Sequence, residues 1–250
     1  MKIFKDMIDH IKNKKDLIKE LKIYKEFIQK KLDIEDLNSA LSKVRSALTL
    51  IKEYQDKFDI EDEIKEFNSI NDRITSELKK HRDFYLRKFN NLLKEKVNEN
   101  NLENLLKLLA MLKSDIDKVY EKYNLHDLQA DINRYFTFIK RLYIILTSYE
   151  TLNYHKISEI VYNYMKDLEN ENFPNLENLI QTINLKIIIK RLKELSEKYE
   201  KMKIQELSED LLINEEDLID IIISIMDMPE NPIRVYNSTN REVIFNKNLT

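Results

Sequence analysis

The feature that most constrains this 250-residue sequence is the complete absence of glycine. Glycine adopts positive φ without steric cost, so its absence makes tight two-residue hairpins and glycine helix caps unfavourable. Asparagine is the usual substitute at left-handed positions, and it is plentiful here, as in the predicted turn Asn98–Asn101. The sequence therefore favours helices joined by Asn- and Asp-rich turns and disfavours a large β-fold.

Composition excludes several kinds of active site. Phosphate-binding loops, dinucleotide fingerprints and the nucleophile elbow need glycine where the backbone turns sharply or approaches its ligand. Because the chain has no cysteine, it has no disulfide, thiolate or zinc–sulfur chemistry. Its 42 basic and 45 acidic residues give a net charge of −3, which provides no overall field for nucleic acid. We therefore expect no enzyme activity and no cofactor.

Patterns typical of targeting and membrane segments are missing from the sequence. The first twenty residues are charged every few positions, unlike a signal peptide. The longest apolar runs, such as Ile187–Ile189 and Ile221–Ile223, are far too short to cross a bilayer. These features predict a soluble, cytoplasmic protein without a membrane span.

Residues 1–98 show narrow apolar seams at helical spacing. In Phe4–Leu32, apolar residues recur three and four positions apart, and two similar segments follow. The predicted row of the first segment passes through Ile18, Leu21 and Lys25. Narrow seams are typical of paired helices, so we predict an extended, coiled-coil-like helical region here.

Residues 99–198 carry broader apolar faces. Complete helical patterns run over Leu102–Tyr123 and Leu125–Tyr149. Two further helices are predicted at about His155–Asn170 and Leu176–Tyr199. Broad faces indicate burial on several sides, so we predict a compact helical region.

The last fifty residues have a different pattern. Ile204–Leu212 predicts a short helix in which Leu212 faces inward with two other leucines, and Asn214 is a good N-cap for a second helix. Two alternating runs then follow, Ile233–Tyr236 and Glu242–Phe245, separated by a polar turn. Helix, turn, helix and hairpin is the order of a winged helix. The predicted fold is therefore mainly α, with helical hairpins or a bundle before a small C-terminal winged helix.

At these residues the chain resembles the C-terminal part of PCI domains. The stretch Tyr199–Met226 has apolar residues where that family has them, and Ile233–Tyr236 with Glu242–Phe245 matches its closing hairpin. The matching apolar positions are Tyr199, Met202, Ile204, Leu207, Leu211, Ile213, Leu218, Ile222 and Ile225. PCI domains occur in scaffold subunits of the proteasome lid, the signalosome and a eukaryotic translation-initiation factor. The resemblance implies helical repeats upstream and a PCI-like winged helix over residues 199–250.

The charges of this segment argue against the DNA contact that a winged helix usually suggests. The second helix carries four acids between Glu215 and Asp220 and no Lys or Arg, where the major groove would require cations. From residue 201 onward there are five basic and ten acidic residues, a net charge of −5. Arg234 and Arg241 of the hairpin are the cations best placed for a phosphate. We therefore expect nucleic-acid binding to be disfavoured.

A protein partner fits this segment better. A small sheet leaves a free edge, which a strand of another chain can extend through backbone hydrogen bonds, and the PCI resemblance implies assembly of that kind. Alternation assigns four hairpin residues to the core: Ile233, Val235, Val243 and Phe245. The residues predicted to contact the partner are Arg234, Tyr236, Arg241, Glu242 and Ile244.

Two histidines have acidic neighbours that could serve catalysis or hold a metal. His126 is close to Asp127 and Asp131, and His155 lies one helical turn from Glu159. Because acidic residues are so common in this chain, such pairs arise by chance. We assign these residues structural or solvent-exposed roles and predict no metal site.

Residues 2–31 are locally basic, with ten Lys against five acids. This pattern is compatible with a membrane-surface or nucleic-acid patch, but a solvated face of a paired helix explains it more simply. Our leading hypothesis is a non-enzymatic scaffold that binds other protein subunits or associates with itself. The alternative is a transcription regulator that dimerises through its N-terminal helices and touches DNA with the hairpin. A hydrolase with a His/Asp site is the third class.

Overall fold

The computed structural model describes residues 11–171, 173–228 and 231–246. These residues form ten α-helices and one three-stranded sheet, which confirms the predicted mainly-α fold with a C-terminal β-hairpin. The helices are α1 (Lys14–Asp33), α2 (Leu37–Tyr54), α3 (Glu61–Lys94), α4 (Leu102–Asp117), α5 (Tyr120–Tyr123), α6 (His126–Ser148), α7 (Tyr154–Leu168), α8 (Pro174–Lys198), α9 (Ile204–Leu211) and α10 (Glu215–Met226). The strands are β1 (Lys201–Lys203), β2 (Ile233–Asn237) and β3 (Glu242–Phe245). The predicted helical residues Phe4–His10 lie outside the described part, and no helix within it is long and apolar enough to cross a bilayer.

Asparagine and aspartate begin several helices. In four of them the side chain before the first helical residue accepts a hydrogen bond of 2.9–3.1 Å from the backbone N–H three residues later. These N-caps are Asn13, Asp36, Asn153 and Asn214. Each satisfies an N–H group that the helix itself leaves unpaired, so short polar residues fix where these helices start.

Left-handed backbone occurs at four residues of the described chain, and asparagine supplies one of them. The four are Glu35, Asn124, Leu212 and Arg241. After the first three, the N–H of the next residue bonds to the carbonyl five positions back, at 2.8–3.2 Å, as in a Schellman helix end. Each such residue costs roughly 1–3 kcal/mol of conformational free energy when it has a Cβ.

The prediction that Leu212 faces inward is wrong. Leu212 follows the last residue of α9, has φ 54° and is 72% exposed. Helical spacing would place it beside Leu211, but the left-handed turn ends the helix there and directs the side chain away from the core. Leu207 and Leu211, which stay within the helix, are buried as predicted.

Contacts divide the chain into two compact units. The first comprises Met1–Leu92 and Leu108–Arg134, and the second comprises Leu93–Lys107 and Tyr135–Thr250. The division into regions 1–98, 99–198 and 199–250 stays a prediction.

In the first unit, α1 and α2 pack together as a helical hairpin. The core of the first unit includes residues of three helices: Leu17, Leu21, Tyr24 and Ile28 of α1, Val44 and Ile51 of α2, and Phe67 and Ile74 of α3. The Nζ atom of Lys43 lies 4.2 Å from the centroid of the Tyr24 ring, so a cation covers one face of the buried ring. Apolar side chains from three helices thus build one continuous core in this unit.

The buried row of α1 shares Leu21 and Ile28 with the predicted row, but it contains Leu17 and Tyr24 where the prediction had Ile18 and Lys25. Leu17 and Tyr24 are buried, whereas Ile18 is exposed and Lys25 forms a surface ion pair with Glu66. The observed row, which also contains Leu21, is apolar throughout. The predicted row would have buried the ammonium group of Lys25, which costs far more than exposing one isoleucine.

The second unit is centred on an aromatic cluster. Tyr135, Phe138, Tyr164 and Phe173 pack with ring centroids 4.9–5.6 Å apart. Burial raises the pKa of Tyr135 to about 12 and also raises the pKa of Tyr164, so both phenols stay protonated.

The amide nitrogen of Asn175 donates to the carbonyl of Leu93 at 2.6 Å and so caps the end of α3.

The C-terminal module, defined as β1, α9, α10, β2 and β3, belongs to the second unit. The Tyr154 hydroxyl of α7 donates to the carbonyl of Leu211 at 2.8 Å. Arg191 of α8 makes two hydrogen bonds to Asp210 of α9, from Nε at 2.9 Å and from Nη2 at 2.8 Å. Hydrogen bonding by Arg191 holds the pKa of Asp210 below its usual value, against the opposing effect of burial. A two-pronged ion pair therefore joins the module to the helices before it.

Substitution of Asp210 should weaken the fold in a pH-dependent way. We expect Asp210→Asn to lower the free energy of unfolding by about 1–2 kcal/mol at pH 7, because half-buried Arg191 loses its charged partner. The folded pKa of Asp210 lies below the unfolded value, so the ion pair contributes stability above about pH 4 and loses it as the pH falls through the folded pKa. The difference between wild type and variant, measured by urea unfolding, should therefore narrow from about pH 5 to about pH 2.

A matched control is Asp167→Asn, which removes the exposed ion pair with Arg141. It should cost no more than about 0.5 kcal/mol, because solvent screens that pair. Equal losses for the two variants, or a loss for Asp210→Asn that is unchanged at low pH, would contradict the assignment.

Candidate interaction surface of the C-terminal module

The sheet of the module has β3 at its centre, with β1 and β2 antiparallel on either side. β1 was not predicted from the sequence. It pairs Lys201 with Ile244 and Met202 with Val243, directly before α9 begins. A three-residue strand gives only one alternation, Lys–Met–Lys, which is too short to stand out from its surroundings.

A β-bulge changes which residues of β2 face the core. The register pairs Ile233 with Phe245 but then pairs Val235 with Ile244, so one extra residue, Arg234, lies between the two pairs. After the bulge every side chain of β2 points to the face opposite to the one that strict alternation predicts.

Two predictions are therefore wrong. Val235, expected in the core, is 41% exposed and lies beside Ile244. Tyr236, expected on the outward face, pairs with buried Val243 and is half-buried on the core side. The other three core assignments, Ile233, Val243 and Phe245, are confirmed.

The outward face of the sheet carries a short apolar row. Lys201, Ile244 and Val235 lie side by side across the three strands. The next row has Glu242 at its centre, and Glu242 pairs with Lys201 across 3.4 Å. Two adjacent apolar side chains with an ion pair beside them thus form a small mixed surface on this face. Of the residues predicted to contact a partner, Ile244 and Glu242 lie on it.

β2 is an edge strand. β3 pairs with it on one side, and within the described residues no strand lies on the other. Exposed Arg234 lies at its bulge. Backbone groups on the free edge can pair with a strand of another chain, while the bulge and the five-residue length limit uncontrolled pairing. The sheet therefore offers an outward apolar row next to an open edge.

The hairpin turn is tied to the acidic helix. Arg241 precedes β3, and its Nη2 atom lies 2.7 Å from Oε2 of Glu215, the first residue of α10. Glu216 and Asp217, also in the first turn of α10, are exposed. The helix dipole favours carboxylates at the N-terminal end of α10, so these acids do not destabilise the helix. The carboxylate of Glu215 also occupies the guanidinium of Arg241, which a phosphate would need.

The candidate catalytic residue Asp127 has a structural partner. It accepts two hydrogen bonds from Arg82, at 2.9 and 2.5 Å, and these lower the pKa of Asp127 to about 2. His126 packs edge-on against the ring of Tyr120 instead. Among the residues that the structure describes, no three or more His, Asp or Glu side chains are grouped so that they could hold a metal ion.

The bulge can be tested with a pair of isosteric substitutions. We expect Val235→Thr to change the free energy of unfolding by less than about 0.5 kcal/mol, because the side chain is exposed. Val243→Thr should cost about 1–3 kcal/mol, because it buries a hydroxyl without a partner. Urea unfolding measures both. If the two variants lose equal stability, Val235 faces the core and the bulge register is incorrect.

Comparison with protein-family models, curated proteins and solved structures finds no match to this chain. The resemblance to PCI domains therefore rests on the apolar positions of Tyr199–Met226 and on the hairpin, and it stays a prediction.

Proposed function

We propose that the chain is a non-enzymatic scaffold and that its C-terminal module, a PCI-type winged helix, binds other protein subunits. The observation that carries the proposal is the outward row of Val235 and Ile244 next to the free edge of β2. In strand addition, backbone hydrogen bonds supply affinity and a neighbouring apolar surface supplies specificity. This part of the module offers both features.

Burial within the module supports the PCI-type interpretation. Strand, helix, helix, strand and strand follow one another from β1 to β3. Six of the apolar positions that carry the resemblance are buried: Ile204, Leu207, Leu211, Leu218, Ile222 and Ile225. The spacing on which the resemblance depends thus coincides with the core of the module.

Electrostatics favour a protein partner over DNA. The first turn of α10 is acidic, and Glu215 of that turn holds Arg241. Near polyphosphate these carboxylates would repel, and no condensed counterions would be released to drive binding. A protein surface with basic or mixed charge meets no such barrier.

Capture of partners should depend on the β2 edge. We expect Val235→Lys to reduce the subunits retained by the tagged full-length chain from its native cell extract by at least about tenfold, which corresponds to about 1.4 kcal/mol. A lysine on an edge strand opposes strand addition and removes half of the apolar row. Quantitative mass spectrometry of the retained proteins is the measurement.

The matched control is Thr239→Lys, which adds the same charge in the exposed turn of the hairpin and should retain the same proteins as wild type. Equal retention by wild type and Val235→Lys would refute the proposed surface. Sequence-selective retention of duplex DNA at low salt would instead favour the transcription regulator, and fluorescence anisotropy with labelled duplexes detects it.

A further inference from the structure

A polar groove lies on the first unit, between α2 and the turn that follows α5. Its volume is about 450 Å³. Among the described residues that line it, Leu41 alone is apolar and none is acidic. The polar lining residues are Asn38, Ser42, Arg45, Ser46, Thr49 and Asn124. Sites for apolar ligands are lined mainly by hydrophobic and aromatic side chains, so this groove suits a small polar ligand instead.

One face of α2 forms most of the groove. Four of the polar residues recur at intervals of four, three and four, which places them on the same side of the helix: Asn38, Ser42, Arg45 and Thr49. Val44 and Ile51 of the same helix are buried in the core of the unit, so the polar side is left to solvent. Asn124 joins this side because α5 packs against α2 and ends one residue before it. Folding thus brings together polar groups that are far apart in the sequence.

Four of the polar side chains are free to donate hydrogen bonds to a ligand. The hydroxyls of Ser46 and Thr49 already donate to carbonyls of α2, at 3.1 and 2.9 Å, so their protons are engaged. Within the part of the chain that the structure describes, the other four side chains form no hydrogen bond or ion pair: Asn38, Ser42, Arg45 and Asn124. Two amides, one hydroxyl and one guanidinium therefore offer N–H and O–H groups to the same small volume.

Arg45 gives the groove a positive charge that no carboxylate of the described residues pairs with. Four other arginines form ion pairs: Arg82, Arg141, Arg191 and Arg241. Exposed Arg73 lines a different groove, together with the acids Glu26 and Glu66. The charges that flank the polar groove in the sequence are of both signs: Lys52, Lys122, Glu35, Glu53 and Glu121. These charges nearly offset one another, so the guanidinium inside the groove decides that an anion is the favoured ligand.

We propose that this groove binds a phosphate group, either as inorganic phosphate or as a phosphate monoester. The planar guanidinium of Arg45 matches two phosphate oxygens through charge-assisted hydrogen bonds. The remaining oxygens can accept from Asn38 and Ser42 on α2 and from Asn124 on the opposite side. A carboxylate has only two oxygens, so the guanidinium alone would satisfy it and the other donors would stay unpaired. The inference goes beyond the scaffold role, since it concerns the first unit and a small anion.

Titration of the full-length chain with inorganic phosphate, followed by the NMR chemical shifts of its backbone amides, tests the proposal. The signals of the groove residues should shift and should give a Kd of about 1 mM or lower at an ionic strength of about 0.15 M. Acetate should bind at least about tenfold more weakly, because it leaves the amide and hydroxyl donors unpaired. A weaker Kd for phosphate, or equal affinity for phosphate and acetate, would overturn the proposal.

Two substitutions locate the ligand. Arg45→Gln removes the charge from an exposed position, and it should raise the Kd for phosphate by at least about tenfold. Asn124→Asp replaces a donor by a carboxylate and should raise the Kd by a similar factor, while aspartate tolerates the left-handed backbone at this turn. Unchanged signals outside the groove verify that each variant is folded. If either folded variant binds phosphate as tightly as wild type does, the proposal is wrong.

Arg73→Gln is the matched control, since Arg73 is also exposed on the first unit but does not line the polar groove. This variant has the same change in net charge as Arg45→Gln and should bind phosphate as wild type does. If the two variants lose affinity equally, phosphate responds only to the overall charge of the chain, and the assignment to the groove is refuted.

A second titration, with O-phospho-L-serine, distinguishes the two sources of the phosphate group. Tighter binding than that of inorganic phosphate assigns the groove to a phosphorylated serine of a protein. Equal or weaker binding assigns it to free phosphate. In both cases Arg45→Gln should weaken binding of the two probes by the same factor, because the guanidinium contacts the group that they share; unequal factors would contradict a common site.

Discussion

Every residue with positive φ in the described chain carries a side chain, and this constraint shapes the surface around each turn. Glu35 ends α1, and its carboxylate accepts a hydrogen bond from the Tyr123 hydroxyl at 3.2 Å. Arg241 turns the hairpin and pairs with Glu215. Glycine at these positions would have supplied the turns but none of these contacts. The conformational cost of a left-handed residue, roughly 1–3 kcal/mol, is thus offset in part by what its side chain does. Leu212 differs because its apolar side chain is 72% exposed.

The helices could be predicted from the sequence because burial of one face requires apolar residues every three or four positions. The exact row was harder to predict. In α1, rows beginning at Leu17 and at Ile18 both pass through Leu21, and the row that packs against α2 and α3 is the one that leaves Lys25 at the surface. Which side chains of the C-terminal module face solvent depends on two local departures from regular structure. A single inserted residue at Arg234 reverses the faces of β2, and a single left-handed turn directs Leu212 outward. The spacing of apolar residues predicts neither the bulge nor the left-handed turn, because both depend on the hydrogen bonds that neighbouring strands and turns form.

Charge in the second unit is arranged so that some acids hold the fold and others remain at the surface. Asp210 is engaged by Arg191 in a half-buried pair, which fixes α9 against α8. Glu215 is engaged by Arg241, whereas Glu216 and Asp217 of the same helical turn are exposed. Because the N-terminal end of α10 favours negative charge, this acidity does not weaken the helix. The module can therefore keep a negative potential toward solvent without loss of stability, and this potential supports the proposal that its partner is a protein and not a polyanion.

The β2 edge would combine two physical bases of binding. Affinity would come from backbone hydrogen bonds, which any extended chain can form, so specificity must come from the side chains of Val235 and Ile244. Backbone hydrogen bonds join groups without net charge, so salt should screen this contact less than one that depends on exposed ion pairs. The bulge at Arg234 turns Val235 outward and also interrupts the regular edge, so the same local feature supplies an apolar side chain for specificity and limits uncontrolled pairing.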